Sequence, residues 1–115
     1  MINDLSNTWF WSDTHYNHMY LSKQGEWRGV TLFERTKFAS IEDHDAALDN
    51  LLFSWAEKHY GATLFHLGDW GDVDHLWIIR QLRWEYGIEC HFVMGNHDKM
   101  SDFDRFQRYF DKVYT

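Results

Sequence analysis

Ala62-Thr63-Leu64-Phe65-His66-Leu67-Gly68-Asp69-Trp70-Gly71-Asp72 is the stretch on which the reading of the fold turns. A short, mostly apolar run passes directly into glycine and two aspartates. That is the pattern of a strand buried on both faces that ends in a polar loop. The same cadence occurs on either side of it. Upstream, Thr8-Trp9-Phe10-Trp11-Ser12 closes in Asp13-Thr14-His15; downstream, Ile88 to Met94 closes in Gly95-Asn96-His97-Asp98. Lys112-Val113-Tyr114-Thr115 reads as the opening of a fourth strand.

Helical periodicity fills the gaps between these runs. Ser40 starts a helix, with Asp43 three residues on as a capping-box variant, and Leu48, Leu51, Leu52 and Trp55 form one apolar stripe before Tyr60-Gly61 ends it. A second helix spans about Asp74 to Tyr86, with Leu76, Ile79, Leu82 and Tyr86 on one face, and stops at Gly87. Ser101 to Phe110 is a third, aligning Phe103, Phe106 and Phe110. Trp55, Trp77, Phe103 and Phe106 sit at core spacing, whereas Trp9, Trp11, Trp27, Trp70 and Trp84 are aromatics in excess of it. Tyr16 to Thr36 has no clean period and reads as a long loop. The order predicts an α/β fold, a mostly parallel sheet flanked by helices with right-handed crossovers, in one domain over residues 1–115.

Composition narrows the class. A hydrophobic content of 44% with seven Trp excludes a disordered chain. Lys+Arg 11 against Asp+Glu 18 leaves a net charge of −7, which disfavours long nucleic acid and anionic lipid as partners, because binding them requires neutralising phosphates. Cys90 is the only cysteine, Met1 to Leu5 has neither a basic start nor an apolar run, and no stretch approaches a membrane span. Together these predict a cytoplasmic protein in a reducing compartment.

The polar residues fall just after each predicted strand. In an open α/β sheet the carboxyl ends of parallel strands lie side by side, so Asp13 and His15, Asp69 and Asp72, and Asn96, His97 and Asp98 are expected to converge. Mixed oxygen and nitrogen donors of this kind suit Mn²⁺, Fe²⁺, Zn²⁺ or Mg²⁺. Gly68 and Gly95 allow sharp turns and close backbone approach to a ligand.

Asp13-Thr14-His15, Gly68-Asp69-Trp70-Gly71-Asp72 and Gly95-Asn96-His97-Asp98 resemble, in order, the D-x-H, G-D-x-x-D and G-N-H-D blocks of the calcineurin-like metallophosphoesterases, in particular their small bacterial and phage-type members. The resemblance runs over essentially the whole chain. It implies the N-terminal half of that family's β-sandwich, a two-metal site with Mn²⁺ favoured, and hydrolysis of a phosphomonoester or phosphodiester in a small molecule or nucleotide. By position it implies that Asp13 and His15 hold one ion, that Asp69 bridges both, and that Asn96 ligates the second. His97 is then the proton donor to the leaving oxygen or a stabiliser of the transition state, with Asp98 orienting its imidazole. The family pattern continues with a further histidine and a glycine–histidine–x–histidine block, and Thr115 precedes both. The chain therefore reads as an apparently truncated domain whose site a C-terminal half or a second chain would complete. The competing readings are a catalytically incomplete subunit or binding module, and a metal-binding structural domain.

Blander roles are open to several of these residues. Asp13 and Asp69 can be turn formers, and Asp72 can cap the helix that begins near Val73. His18 reads as an exposed loop residue, His66 as a hydrogen-bonded core residue, and His44, His59 and His75 as helix-surface residues; Cys90 reads as a small buried side chain.

Overall fold

A computed structural model describes residues 7–17 and 40–115, together with the backbone of 26–27 and 30–31. Strand β1 (Thr8–Trp11) leads, by way of helix α1 (Ile41–Lys58), to β4 (Thr63–His66); α2 (Trp77–Tyr86) leads to β5 (Glu89–Val93), and α3 (Phe103–Tyr109) to β6 (Lys112–Tyr114). The four strands form one sheet in the order β1-β4-β5-β6, every pair parallel. Between β1 and α1, β2 (Glu26–Trp27) and β3 (Val30–Thr31) pair antiparallel. That ladder interrupts the segment expected to be a long loop; the rest of the segment beyond Asn17, including His18 and the side chain of Trp27, lies outside the described residues.

Local chemistry explains the element ends. The Ser40 hydroxyl accepts the Asp43 N–H at 3.1 Å, the N-cap bond the sequence calls for. Before α2 comes a 3₁₀ turn, Val73–Leu76, capped by Asp72, whose Oδ1 accepts the Asp74 N–H at 2.9 Å. A second 3₁₀ turn, Met100–Asp102, precedes α3.

The strands are laid down in chain order, so the crossovers of a single hand carry the helices to one face. Register places Trp9, Leu64 and Cys90, then Trp11, His66 and Phe92, on that face. There Leu64, Cys90 and Phe92 form the buried core with Leu52 and Ala56 of α1, Ile78, Ile79 and Leu82 of α2, and Phe106 of α3. Phe92 stacks on Phe106 with centroids 4.3 Å apart and on Phe110 at 5.0 Å. A ring buried in this way stabilises by about 1.5–3 kcal/mol.

The opposite face corrects one expectation. Strand β4 is not buried on both sides: Leu64 and His66 are buried, whereas Thr63 and Phe65 are only partly so. A row of rings runs across that face from Phe10, which is 64% exposed, through Phe65 and His91 to Tyr114. Other residues also depart from the sequence reading. Leu51 (69% exposed) leaves the α1 stripe and Trp77 (46% exposed) leaves the core, because each points away from the packed helix face. Trp70 is wholly buried rather than surplus, and His44 is buried rather than on the helix surface. Cys90 is buried, and burial pushes its thiol above its ordinary pKa, which leaves it an inert packing group.

Candidate metal centre

The loops after β1 and β4 continue side by side beyond the strands. Asp13 N donates to Gly68 O at 3.0 Å, His15 N to Asp69 O at 3.1 Å and Tyr16 N to Trp70 O at 2.9 Å. These bonds force an unusual backbone. Asp13, His15, Asn17 and Asp69 all have positive φ, at 56°, 47°, 58° and 58°. For residues with a Cβ that region costs about 1–2 kcal/mol each, and Asp and Asn tolerate it better than His. Strain of this order persists only where surrounding bonds over-determine it.

Between the two strained residues, Thr14 turns inward and anchors the loop. Its hydroxyl donates to Trp70 O at 2.8 Å and lies 3.1 Å from His66 Nε2. The Gly68 N–H donates to His66 Nδ1 at 3.1 Å, which makes Nδ1 the acceptor and leaves the proton on Nε2, facing the Thr14 oxygen. Both ring nitrogens are therefore used in the neutral form. Burial lowers the His66 pKa to about 3, the nearby Asp13 carboxylate opposing that shift and His15 adding to it. His66 is the hydrogen-bonded core histidine the sequence suggests.

With Thr14 inward, Asp13 and His15 project together. His15 Nε2 lies 3.6 Å from Asp13 Oδ1, and the Asp13 side chain is 55% exposed. Asp69 joins them. Ligand atoms of Asp13, His15 and Asp69 all lie within 4.8 Å of one another, the one such group of His, Cys, Asp or Glu side chains among the described residues. Two carboxylates and an imidazole form a hard-to-borderline donor set that fits a divalent cation such as Mn²⁺, Zn²⁺ or Mg²⁺.

The third loop closes on the other two through its backbone. His97 N donates to Asp69 Oδ1 at 2.9 Å, and the His97 ring sits 6.1 Å from that of His15. A Cβ on Gly68 would lie 2.5 Å from Gly95 N, and one on Gly95 would lie 2.6 Å from Asp69 Oδ1. The close approach expected between these glycines and a ligand is thus made between the two loops and the Asp69 carboxylate. Asn96 and His97 are exposed on this rim.

The hydrogen bonds of Asp98 run to the main chain. Its Oδ2 accepts the N–H groups of Asp69 at 2.8 Å and Gly95 at 2.7 Å, and its Oδ1 accepts that of Trp70 at 3.0 Å. The carboxylate is a staple that ties the loop after β5 to the one after β4. Asp72 acts as a cap, as its sequence position allows, and its Oδ2 also accepts the Asn17 amide at 3.0 Å.

Two residues near this edge escaped the sequence reading. Asp45 Oδ2 accepts the Asn17 N–H at 2.9 Å, and Asp49 Oδ1 accepts the Tyr16 hydroxyl at 2.9 Å. Their signal was available: two acids four residues apart, past the first turn of a helix, repel each other and are too far along to favour the helix dipole.

Comparison of the chain with family models, curated proteins and solved structures found no match. The class of molecule established is therefore a compact α/β fold with a four-strand parallel sheet and flanking helices, carrying a candidate cation site at the carboxyl edge of that sheet. No helix among the described residues is long and apolar enough to cross a membrane.

Proposed function

We propose that the chain is a metal-dependent phosphoesterase of the calcineurin-like type, acting on a phosphomonoester or phosphodiester of a small molecule or nucleotide. The observation that carries this is the convergence of Asp13, His15 and Asp69 within 4.8 Å, with three of the strained φ values falling on those same residues. Strain of this kind collects at functional sites. Asp13 and His15 would hold one ion, Asp69 would bridge to a second, and Asn96 would meet it from the rim. Bound there, divalent ions would polarise phosphoryl oxygens and generate a nucleophile from water at neutral pH. His97, whose exposed ring lies 6.1 Å from that of His15, would give a proton to a leaving oxygen, a role worth about 10²–10⁴ in rate. Asp98 acts indirectly, by holding the His97 loop against Asp69. The −7 net charge favours a small substrate over long nucleic acid. The aromatic row from Phe10 to Tyr114 is the surface a second sheet would cover, in keeping with one half of a β-sandwich.

The shortness of the donor set favours a second reading, a metal-binding module without turnover whose site another segment or chain completes. One experiment separates the two. Metal-free protein is titrated with Mn²⁺ by calorimetry and assayed with a chromogenic phosphodiester. A stoichiometry of two with turnover supports the enzyme; a stoichiometry of one without turnover supports the module. Asp69→Asn abolishes metal uptake and hydrolysis in the first case, and full activity in that variant refutes the assignment.

A further inference from the structure

We propose that Asp45 and Asp49 of α1 are positioning residues for this centre, gripping the loop that carries Asp13 and His15; this rests on the metal reading of the Asp13–His15–Asp69 group. The two carboxylates are one turn apart on the same helix face, and each holds a consecutive residue of the loop. Asp45 takes the backbone N–H of Asn17 and Asp49 takes the hydroxyl of Tyr16.

The grip extends behind both acids. His75 Nε2 lies 2.9 and 3.0 Å from the two oxygens of Asp49, and the His75 ring stacks on Tyr16 with centroids 3.9 Å apart and planes at 16°. The other oxygen of Asp45 lies 2.9 Å from Nδ1 of the buried His44. Tyr16 itself is pinned along its backbone, its N–H to Trp70 O and its carbonyl to the Asp72 N–H, both at 2.9 Å. The Tyr16 side chain thereby locks to the helix a residue that sits between two left-handed neighbours, His15 and Asn17.

Helix energetics give these acids no reason to be there, since like charges at this spacing cost a few tenths of a kcal/mol. Loop energetics do. Three left-handed residues in five positions would relax without external restraint, and a metal ligand displaced by more than about 0.5 Å no longer serves its site. Residues that orient ligands in this way typically govern metal affinity by about 10–100-fold.

The test is Mn²⁺ titration of the full metal-free chain, wild type against Asp49→Ala, Asp49→Asn and Tyr16→Phe, with thermal melts of each. Asp49→Ala is expected to weaken Mn²⁺ binding about tenfold or more. Tyr16→Phe, which loses one hydroxyl, should follow it, and Asp49→Asn, which keeps an acceptor for that hydroxyl, should recover most of the affinity. If Asp49→Ala does not fold, Tyr16→Phe decides. Variants that melt earlier yet bind Mn²⁺ as tightly as the wild type show that the acids merely dock α1, and overturn the proposal alone. A wild-type chain that takes up no Mn²⁺ overturns the metal reading, and this proposal with it.

Discussion

At the amino edge of the sheet the chain turns on glycine, whereas at the carboxyl edge it turns on Asp, His and Asn as well. Gly61, before β4, and Gly87, before β5, take φ of 76° and 63°; a Cβ would meet open space at the first and nothing nearer than Gly61 N at 4.0 Å at the second. Asp13, His15, Asn17 and Asp69 take nearly the same angles at the other edge, where glycine would be cheaper. The difference lies in what the position must present. A reversal that only redirects the chain needs no side chain, so the residue with the least steric cost is used. A reversal that must also aim a carboxylate or an imidazole keeps the Cβ, and the strain is offset by main-chain bonds to a neighbouring loop. The amino edge serves the fold alone, whereas the carboxyl edge also carries the candidate cation group.

The sharpest way to break this contrast is Gly68→Ala, at the carboxyl edge. The new methyl would meet backbone atoms of Gly95 and the Val93 carbonyl at 2.5–2.9 Å, and neither can swing aside. A loss of roughly 3 kcal/mol or more is expected in urea unfolding; a loss near 1 kcal/mol would mean the loops are less tightly joined than their contacts imply. Next in size is Asp98→Asn, which sets an amide NH₂ against backbone donors. It should cost about 2–3 kcal/mol and speed hydrogen exchange at Gly95 and Trp70. An Asp98→Asn chain with unchanged stability would mean that this carboxylate does not hold the two loops together.

The carboxyl edge should also be the acid-sensitive one. His66 has an ordinary pKa near 6.5 that falls to about 3 in the folded protein, so below pH 6.5 the unfolded chain binds the proton and the folded one does not. Stability from this group is complete above pH 6.5 and is lost progressively toward pH 3, about 2 kcal/mol of it by pH 5. Unfolding midpoints of the wild type and His66→Gln, compared at pH 7 and pH 5, read it directly: the variant should show a flatter dependence. The smallest effect belongs to the amino edge. Gly87→Ala meets no atom closer than Gly61 N at 4.0 Å and incurs only the left-handed penalty, about 1 kcal/mol. A much larger loss there would erase the distinction between the edges.

Much of the architecture was legible because it is local. The Ser40 cap, the apolar residues of α2 and the polar closures of three strands depend on nearest neighbours and periodicity, and each appears where its residues place it. What could not be read was which side of an element faces what. Phe65 looks as apolar as Leu64, yet chain-order strands with helices on one face leave it half-covered. His44 and His75 look like surface residues until Asp45 and Asp49 meet them. The Asp98 staple needs three amides from two loops and has no local signature.

By itself, then, the amino-acid sequence determined the alternation of strands and helices, the parallel sheet, and the gathering of Asp13, His15, Asp69 and the Asn96–His97 loop at one edge, because parallel strands ending in polar residues leave those residues nowhere else to go. Only the tertiary structure decided the left-handed backbone of the site, the inward turn of Thr14 onto His66, and the work given to Asp45, Asp49 and Asp98. Those depend on hydrogen bonds between segments dozens of residues apart, whose geometry exists only once the loops are packed together.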